Sequence, residues 1–110
     1  HAAGDFVLKE VGRILREKVR KTDLPCRIGG DEFVILLADV TQTAASMRAE
    51  SLRAAIGALP HPGNEKGIRI TTTIGGTLYS SGETKEALMH RADEALYAAK
   101  RAGRNRVEWK

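Results

Sequence analysis

Gly29-Gly30-Asp31-Glu32 sets two carboxylates directly after two glycines, and an apolar run from Phe33 to Leu37 follows at once. Glycine lets a backbone bend where other residues cannot and lets it lie against a ligand. A neighbouring acid offers hard oxygen donors that a divalent ion such as Mg²⁺ can share with phosphates. Two acids at a hairpin tip are equally an ordinary solvated turn, so residue chemistry alone leaves both readings open. A second candidate lies at the far end of the chain. There Lys100, Arg101, Arg104, Arg106 and Lys110 stand against Glu108, and this stretch holds all of the +4 net charge, the remainder carrying thirteen charges of each sign. Such a cluster suits phosphate or nucleic acid, but on charge alone a solvated helix end whose cations complement the helix dipole is the plainer reading.

These residues need elements to position them. Asp5 is placed to cap a helix in which Val7, Leu8, Val11, Ile14, Leu15 and Val19 keep helical spacing to about Arg20. After Pro25, Cys26 to Ile28 reads as a short strand and Phe33 to Leu37 as a strand covered on both faces, making a hairpin with Gly-Gly-Asp-Glu at its tip. A second helix is expected from about Thr41 to Leu59, with Ala45, Ala49, Leu52, Ile56 and Leu59 on one stripe and Pro60 as its stop. The loop His61-Pro62-Gly63-Asn64 precedes an alternating strand over Ile68, Ile70, Thr72 and Ile74, which Gly75-Gly76 should loosen. A third helix is expected from about Thr84 to Ala102, with Leu88, Ala92, Ala95, Leu96 and Ala99 inward and Gly103 at its C-terminal stop, before an edge strand over Val107 to Trp109. The order predicts one α+β domain over residues 1–110, a ferredoxin-like or palm-like mixed sheet with a central β-hairpin and flanking helices.

Composition narrows the class. Hydrophobic residues make up 42% of the 110, enough for one core without staples, and the single cysteine, Cys26, excludes an intrachain disulfide and a thiolate-rich metal site. No apolar run approaches the roughly 18 residues of a membrane span, and no secretory leader pattern is present, so a cytoplasmic segment is expected, with a membrane-anchored parent still open. Aromatics are 5% of the chain, which leaves few stacking platforms for nucleic acid, and no nucleic-acid partner is expected. His1 is followed by Ala2, Ala3 and Gly4 with no initiator methionine, which points to a chain cut from a longer one.

Three stretches together resemble one bacterial family. Arg27-Ile28-Gly29-Gly30-Asp31-Glu32-Phe33 contains the signature of the GGDEF domains, the diguanylate cyclases. His1-Ala2-Ala3-Gly4-Asp5 is similar to that family's H-x-x-G-D, and Ala92 to Asn105 to its A-D-x-A-L-Y-x-A-K-x-x-G-R-N ending. The resemblance implies a nucleotidyl cyclase-like fold and the condensation of two GTP into cyclic di-GMP with two pyrophosphates released. Carried over residue by residue, Asp31 and Glu32 match the catalytic acids at the metal, which is Mg²⁺ or Mn²⁺, and Gly29 and Gly30 the turn against GTP. Lys100 and Arg104 match the pair that reaches the phosphates; four residues apart across a helix end, they are placed to converge on one anion. Arg20-Lys21-Thr22-Asp23, with five residues between Asp23 and Gly29, matches the RxxD site where product binds and inhibits. The plainer reading of Arg20 and Asp23 is an exposed helix-end ion pair. A further arginine of that site would fall at Ser51, with Arg48 and Arg53 nearby.

The same resemblance implies a homodimer, each copy holding one GTP, and an upstream sensory or receiver domain in the parent. The family's opening strand and helix, which carry a metal-sharing aspartate and the guanine-reading groups, are absent from this chain. The expectation is therefore that the 110 residues alone do not make cyclic di-GMP, and that the open edge beside the hairpin draws strand pairing. A rival class is a silent regulatory module that binds cyclic di-GMP or GTP without turnover, although Asp31 would then have no chemical task.

Overall fold

The structure is a computed structural model, and it describes residues 2–29, 32–59 and 70–110. The first helix, α1, spans Ala2–Lys18. It starts earlier than the sequence suggests, because Ala2 and Ala3 are strong helix formers, and Asp5 lies inside the first turn, where its carboxylate favours the positive helix end without being the cap. It also stops short of Arg20. The amide of Arg20 donates to the Asp23 carboxylate at 2.8 Å, and the amide of Asp23 donates to the Arg20 carbonyl at 3.0 Å. A local side-chain turn has displaced the helical ladder.

Strands β1 (Leu24–Gly29) and β2 (Glu32–Leu36) then pair antiparallel, with Leu24 opposite Leu36, Cys26 opposite Val34 and Gly29 opposite Glu32. Pro25 lies within β1 rather than ahead of it, as a strand with no second partner strand among the described residues permits. The apolar run is covered on one face only. Phe33 and Ile35 turn toward the core, whereas Leu36 and its partner Leu24 are 51% and 59% exposed. The expectation of burial on both faces is thereby corrected; the period of two divides the run between core and outer surface.

Helix α2 covers Gln42–Gly57. Thr41 caps it by accepting the Ala44 amide at 3.1 Å, and the expected stripe Ala45, Ala49, Leu52 and Ile56 is buried. Ile14 and Leu15 of α1 meet Leu52 and Ile56 of α2 in the main core, with Phe33, Ile35 and Ile74 packed against it.

Residues 60–69 lie outside the described part, and with them Pro60, the expected loop His61 to Asn64 and the first half of the expected strand, including Ile68. Ile70 to Thr73 do not form a strand. Instead β3 is Ile74–Gly76, so the two glycines expected to loosen the strand are part of it. The reason is tertiary. A Cβ on Gly75 would collide with the backbone of Leu96, and one on Gly76 would enter the ring of Trp109. Helix α3 (Lys85–Arg101) therefore lies directly on β3, with Ala95 and Ala99 almost fully buried at the contact. Strand β4 (Val107–Trp109) pairs with β3 in parallel, Ile74 opposite Val107. Among the described residues the antiparallel hairpin and the parallel pair form two two-stranded sheets.

Candidate active site

The hairpin brings the signature to its tip: Gly29 closes β1 and Glu32 opens β2, and the two are paired across the ladder. Gly30 and Asp31 lie outside the described residues. Among the described residues no three His, Cys, Asp or Glu side chains gather as a metal site. Phe33 and Ile35 seat β2 on the core formed by α1 and α2.

The phosphate-matching cations sit at the end of α3. Thr84 caps the helix by accepting the Ala87 amide at 3.1 Å, and Arg91 reinforces its first half, donating to Glu83 at 2.6 and 2.8 Å and to the Leu78 carbonyl at 2.7 Å. The Arg91 bonds hold the Glu83 carboxyl below the usual carboxylate range. Lys100 lies in the last helical turn, Ala102 is the C-cap and Gly103 follows at φ 120°. Arg104 and Asn105 then adopt φ values of 62° and 46°, so Arg104 stands beyond the helix rather than one turn along it. The Arg104 amide donates to the Ala99 carbonyl at 3.0 Å, and the Asn105 amide to the Thr73 hydroxyl at 3.1 Å. Lys100 and Arg104 are both exposed, and among the described residues neither pairs with a carboxylate. The C-terminal end of a helix dipole repels anions, so any phosphate held here is held by these side chains.

The third group is built the other way round. The Asp23 side chain is 0% exposed, against 48% for Arg20 and 24% for Arg48. Its carboxylate accepts from Arg48 Nη2 at 2.6 Å, from Arg20 Nη2 at 3.2 Å and from the amides of Arg20 and Ala38 at 2.8 and 3.2 Å. Burial acts to raise its pKa, but the hydrogen bonds from Arg20, Arg48 and the two amides outweigh it and hold the carboxyl well below the usual range. Arg20 and Asp23 are thus brought together as the sequence suggests, but with the carboxylate enclosed and only the Arg20 side chain half-exposed. Arg48 also donates to the Lys18 carbonyl at 3.3 Å, tying α1, the turn and α2 into one unit. Ser51 does not reach Asp23; its hydroxyl accepts from Lys18 Nζ at 3.5 Å.

Sequence reasoning named Arg48 and Arg53 without giving them roles. Arg53 donates to the Asn105 side-chain oxygen at 2.8 Å, which connects α2 to the turn carrying Arg104. The available signal was an asparagine after Gly-Arg, a residue that tolerates a left-handed backbone.

Residues 1–106 match the family described as "Diguanylate cyclase, GGDEF domain". The chain is 45% identical over 108 residues to diguanylate cyclase DgcP of Pseudomonas aeruginosa, covering 98% of this chain and 16% of that protein. It is 41% identical over 111 residues to the response regulator PleD of Caulobacter vibrioides, covering 97% of this chain and 24% of that protein. The chain thus spans well under a third of the length of these relatives. Its fold superposes on the GGDEF domain of DgcB from Caulobacter crescentus, solved in complex with cyclic di-GMP, with a TM-score of 0.91 at 30% identity, over 99% of this chain and 66% of that one. With the signature at a hairpin tip and the match running through nearly every element, this chain belongs to the GGDEF family of diguanylate cyclase domains.

Proposed function

We propose that this chain holds one GTP for condensation into cyclic di-GMP, as part of a diguanylate cyclase. The observation that carries the reading is the presentation of Lys100 and Arg104: two exposed cations without a carboxylate partner among the described residues, at the end of a helix packed directly on the sheet. Gly29 and Gly30 allow the backbone close to the nucleotide, and Lys100 and Arg104 grip its phosphates. The 3′-hydroxyl of one GTP attacks the α-phosphorus of another, forming a P–O bond and expelling pyrophosphate, and the same step in the opposite sense closes the ring. Each copy presents one GTP, so two copies face each other as a homodimer, whose encounter converts a bimolecular reaction into a positioned one.

Asp31 and Glu32 follow directly on the glycine pair, and their carboxylates together with phosphate oxygens form the hard donor set that suits Mg²⁺ or Mn²⁺. Bound there, such an ion supplies charge neutralisation and a more acidic attacking hydroxyl. Arg20 offers product a half-exposed guanidinium at the inhibitory site, held in place by Asp23. No helix among the described residues is long and apolar enough to cross a membrane, and the proposed setting is the cytoplasm, where an upstream sensory or receiver domain would bring two copies together.

Asp31→Asn in the full-length gene product tests the reading. Synthesis of cyclic di-GMP should fall by at least ~100-fold, with cyclic di-GMP binding near Arg20 retained. Turnover that survives Asp31→Asn overturns it. The chain covers 66% of the solved DgcB domain, so the 110 residues by themselves should form no product from GTP and Mg²⁺; product from the purified chain would refute that part. The preassembled Arg20–Asp23 pair favours one alternative, a regulatory module that binds cyclic di-GMP or GTP without turnover. A wild-type gene product that binds both nucleotides and makes no cyclic di-GMP would establish it.

A further inference from the structure

We propose that Arg53 is a positioning residue for Arg104, acting through the side chain of Asn105; the proposal rests on the reading of Arg104 as a phosphate ligand. Gly103, Arg104 and Asn105 take φ values of 120°, 62° and 46° in succession. Glycine adopts such a backbone freely, but a residue with a Cβ does so against a steric penalty, and two in a row relax unless other contacts over-determine the turn.

Three contacts do so. Two are local to α3 and the segment just before β3: the Arg104 amide on the Ala99 carbonyl at 3.0 Å and the Asn105 amide on the Thr73 hydroxyl at 3.1 Å. The third comes from α2, where Arg53 Nη1, 52 residues earlier in the chain, donates to Asn105 Oδ1 at 2.8 Å. Arg53 is itself locked. Its Nε donates to both Glu50 carboxylate oxygens at 2.9 and 3.1 Å, its side chain is 20% exposed, and its neighbour Leu52 is buried in the core. A planar guanidinium held on one side by a carboxylate has its remaining donors aimed in a fixed direction.

The chain of contacts therefore runs from the core, through Leu52 and the Glu50–Arg53 pair, to the Asn105 side-chain oxygen and the backbone that carries Arg104. Without Arg53 the Asn105 side chain loses the contact that ties it to α2, and the turn is free to leave its left-handed conformation. The Arg104 guanidinium would then sample directions away from the phosphates, and charge-assisted hydrogen bonds lose strength quickly with misorientation.

Steady-state kinetics of the full-length gene product, with thermal melts alongside, test this through Arg53→Gln, Arg53→Lys, Asn105→Gly and Arg104→Ala. Asn105→Gly removes the acceptor while remaining comfortable at positive φ. Arg53→Gln and Asn105→Gly should each raise the KM for GTP by roughly fivefold to twentyfold with kcat within about threefold, and Arg53→Lys should recover part of the loss. Arg53→Gln combined with Arg104→Ala should be no worse in KM than Arg104→Ala alone, because the two act on one contact. A KM within about twofold of wild type for Arg53→Gln and Asn105→Gly, or multiplicative effects in the double variant, overturns the positioning role. Should Arg104→Ala itself leave the KM unchanged, the phosphate reading falls, and this proposal with it.

Discussion

Asp23 and Lys100 carry one charge each, yet the fold treats them in opposite ways. Around Asp23 the chain closes completely: two arginines and two backbone amides converge on the carboxylate, and the side chain meets no solvent. At the end of α3, Lys100 and Arg104 stand in water with no carboxylate partner among the described residues. The enclosed charge has already committed its interactions to the fold, so its removal is felt as stability. The exposed cations hold their hydrogen-bonding capacity in reserve, and on the proposed reading their removal should be felt as lost binding. Charge alone does not separate structure from function in this domain; the difference lies in whether the counter-charge is supplied from within.

The strongest way to break this contrast is to delete the exposed cations. In the full-length gene product, Lys100→Ala with Arg104→Ala should weaken GTP binding by about 100-fold or more, since each charge-assisted hydrogen bond contributes on the order of 1.5–3 kcal/mol. The melting temperature should stay within about 2 °C, because exposed substitutions away from packed features change stability little. A clear loss of melting temperature with unchanged GTP affinity would place the two cations with Asp23, as parts of the fold.

The reverse substitution should do the reverse. Asp23→Ala leaves Arg48 and two amides facing a void, and the expected loss is about 2–4 kcal/mol of stability, read by urea or thermal unfolding. The KM for GTP should remain within about threefold of wild type, since no phosphate contact has been touched. A destabilisation below about 0.5 kcal/mol would mean that the enclosed carboxylate contributes no more than a surface ion pair.

This contrast was only partly legible in the sequence. The expected bounds Thr41 to Leu59 and Thr84 to Ala102, with the stripe Ala45, Ala49, Leu52 and Ile56, anticipated α2 and α3 closely, because helical periodicity is a local property. The burial of Asp23 was not legible: Arg20-Lys21-Thr22-Asp23 reads as a solvated helix end, and the arginine that encloses it comes from 25 residues further on. Gly75 and Gly76 were misread for a related reason. Glycine's local preference signals a weakened strand, whereas the close approach of Leu96 and Trp109 demands residues without a Cβ. The signature itself was legible as letters; Gly29 and Glu32 pair across the ladder, and Asp31 lies outside the described residues.

Acid sharpens the comparison from the side of Asp23. Its folded pKa lies below the ordinary carboxylate value of about 3.9, so between the two values the unfolded chain binds more protons and stability rises with pH. The contribution is fully present above roughly pH 5 and is lost as pH falls through about 4 and below. Glu50, Glu83 and Glu94 are also held low by Arg53, Arg91 and Lys110, and they act in the same direction. The informative quantity is therefore the difference between wild type and Asp23→Asn, in which those three cancel. That difference should be largest near neutrality and shrink steadily on acidification in melts at successive pH values; a gap independent of pH would mean that the charge of Asp23 is not what stabilises the turn.

Salt gives the smallest effect and separates the two regions most simply. The screening length falls from about 10 Å at 0.1 M to about 3 Å at 1 M, and it acts on charges that water can reach. If Lys100 and Arg104 take up a polyanion from solvent, as proposed, raising salt from about 0.1 to 0.5 M should weaken GTP binding by roughly threefold to tenfold. The carboxylate of Asp23 is closed off from mobile ions, and the stability difference between wild type and Asp23→Ala should change by less than about 0.5 kcal/mol over the same range. Titrations of GTP and unfolding curves at the two salt concentrations read both quantities from one preparation. If the stability difference collapses while GTP binding holds, the assignment of the two regions is reversed: Asp23 would be the screened, accessible charge, and the end of α3 would bind through contacts that salt does not reach.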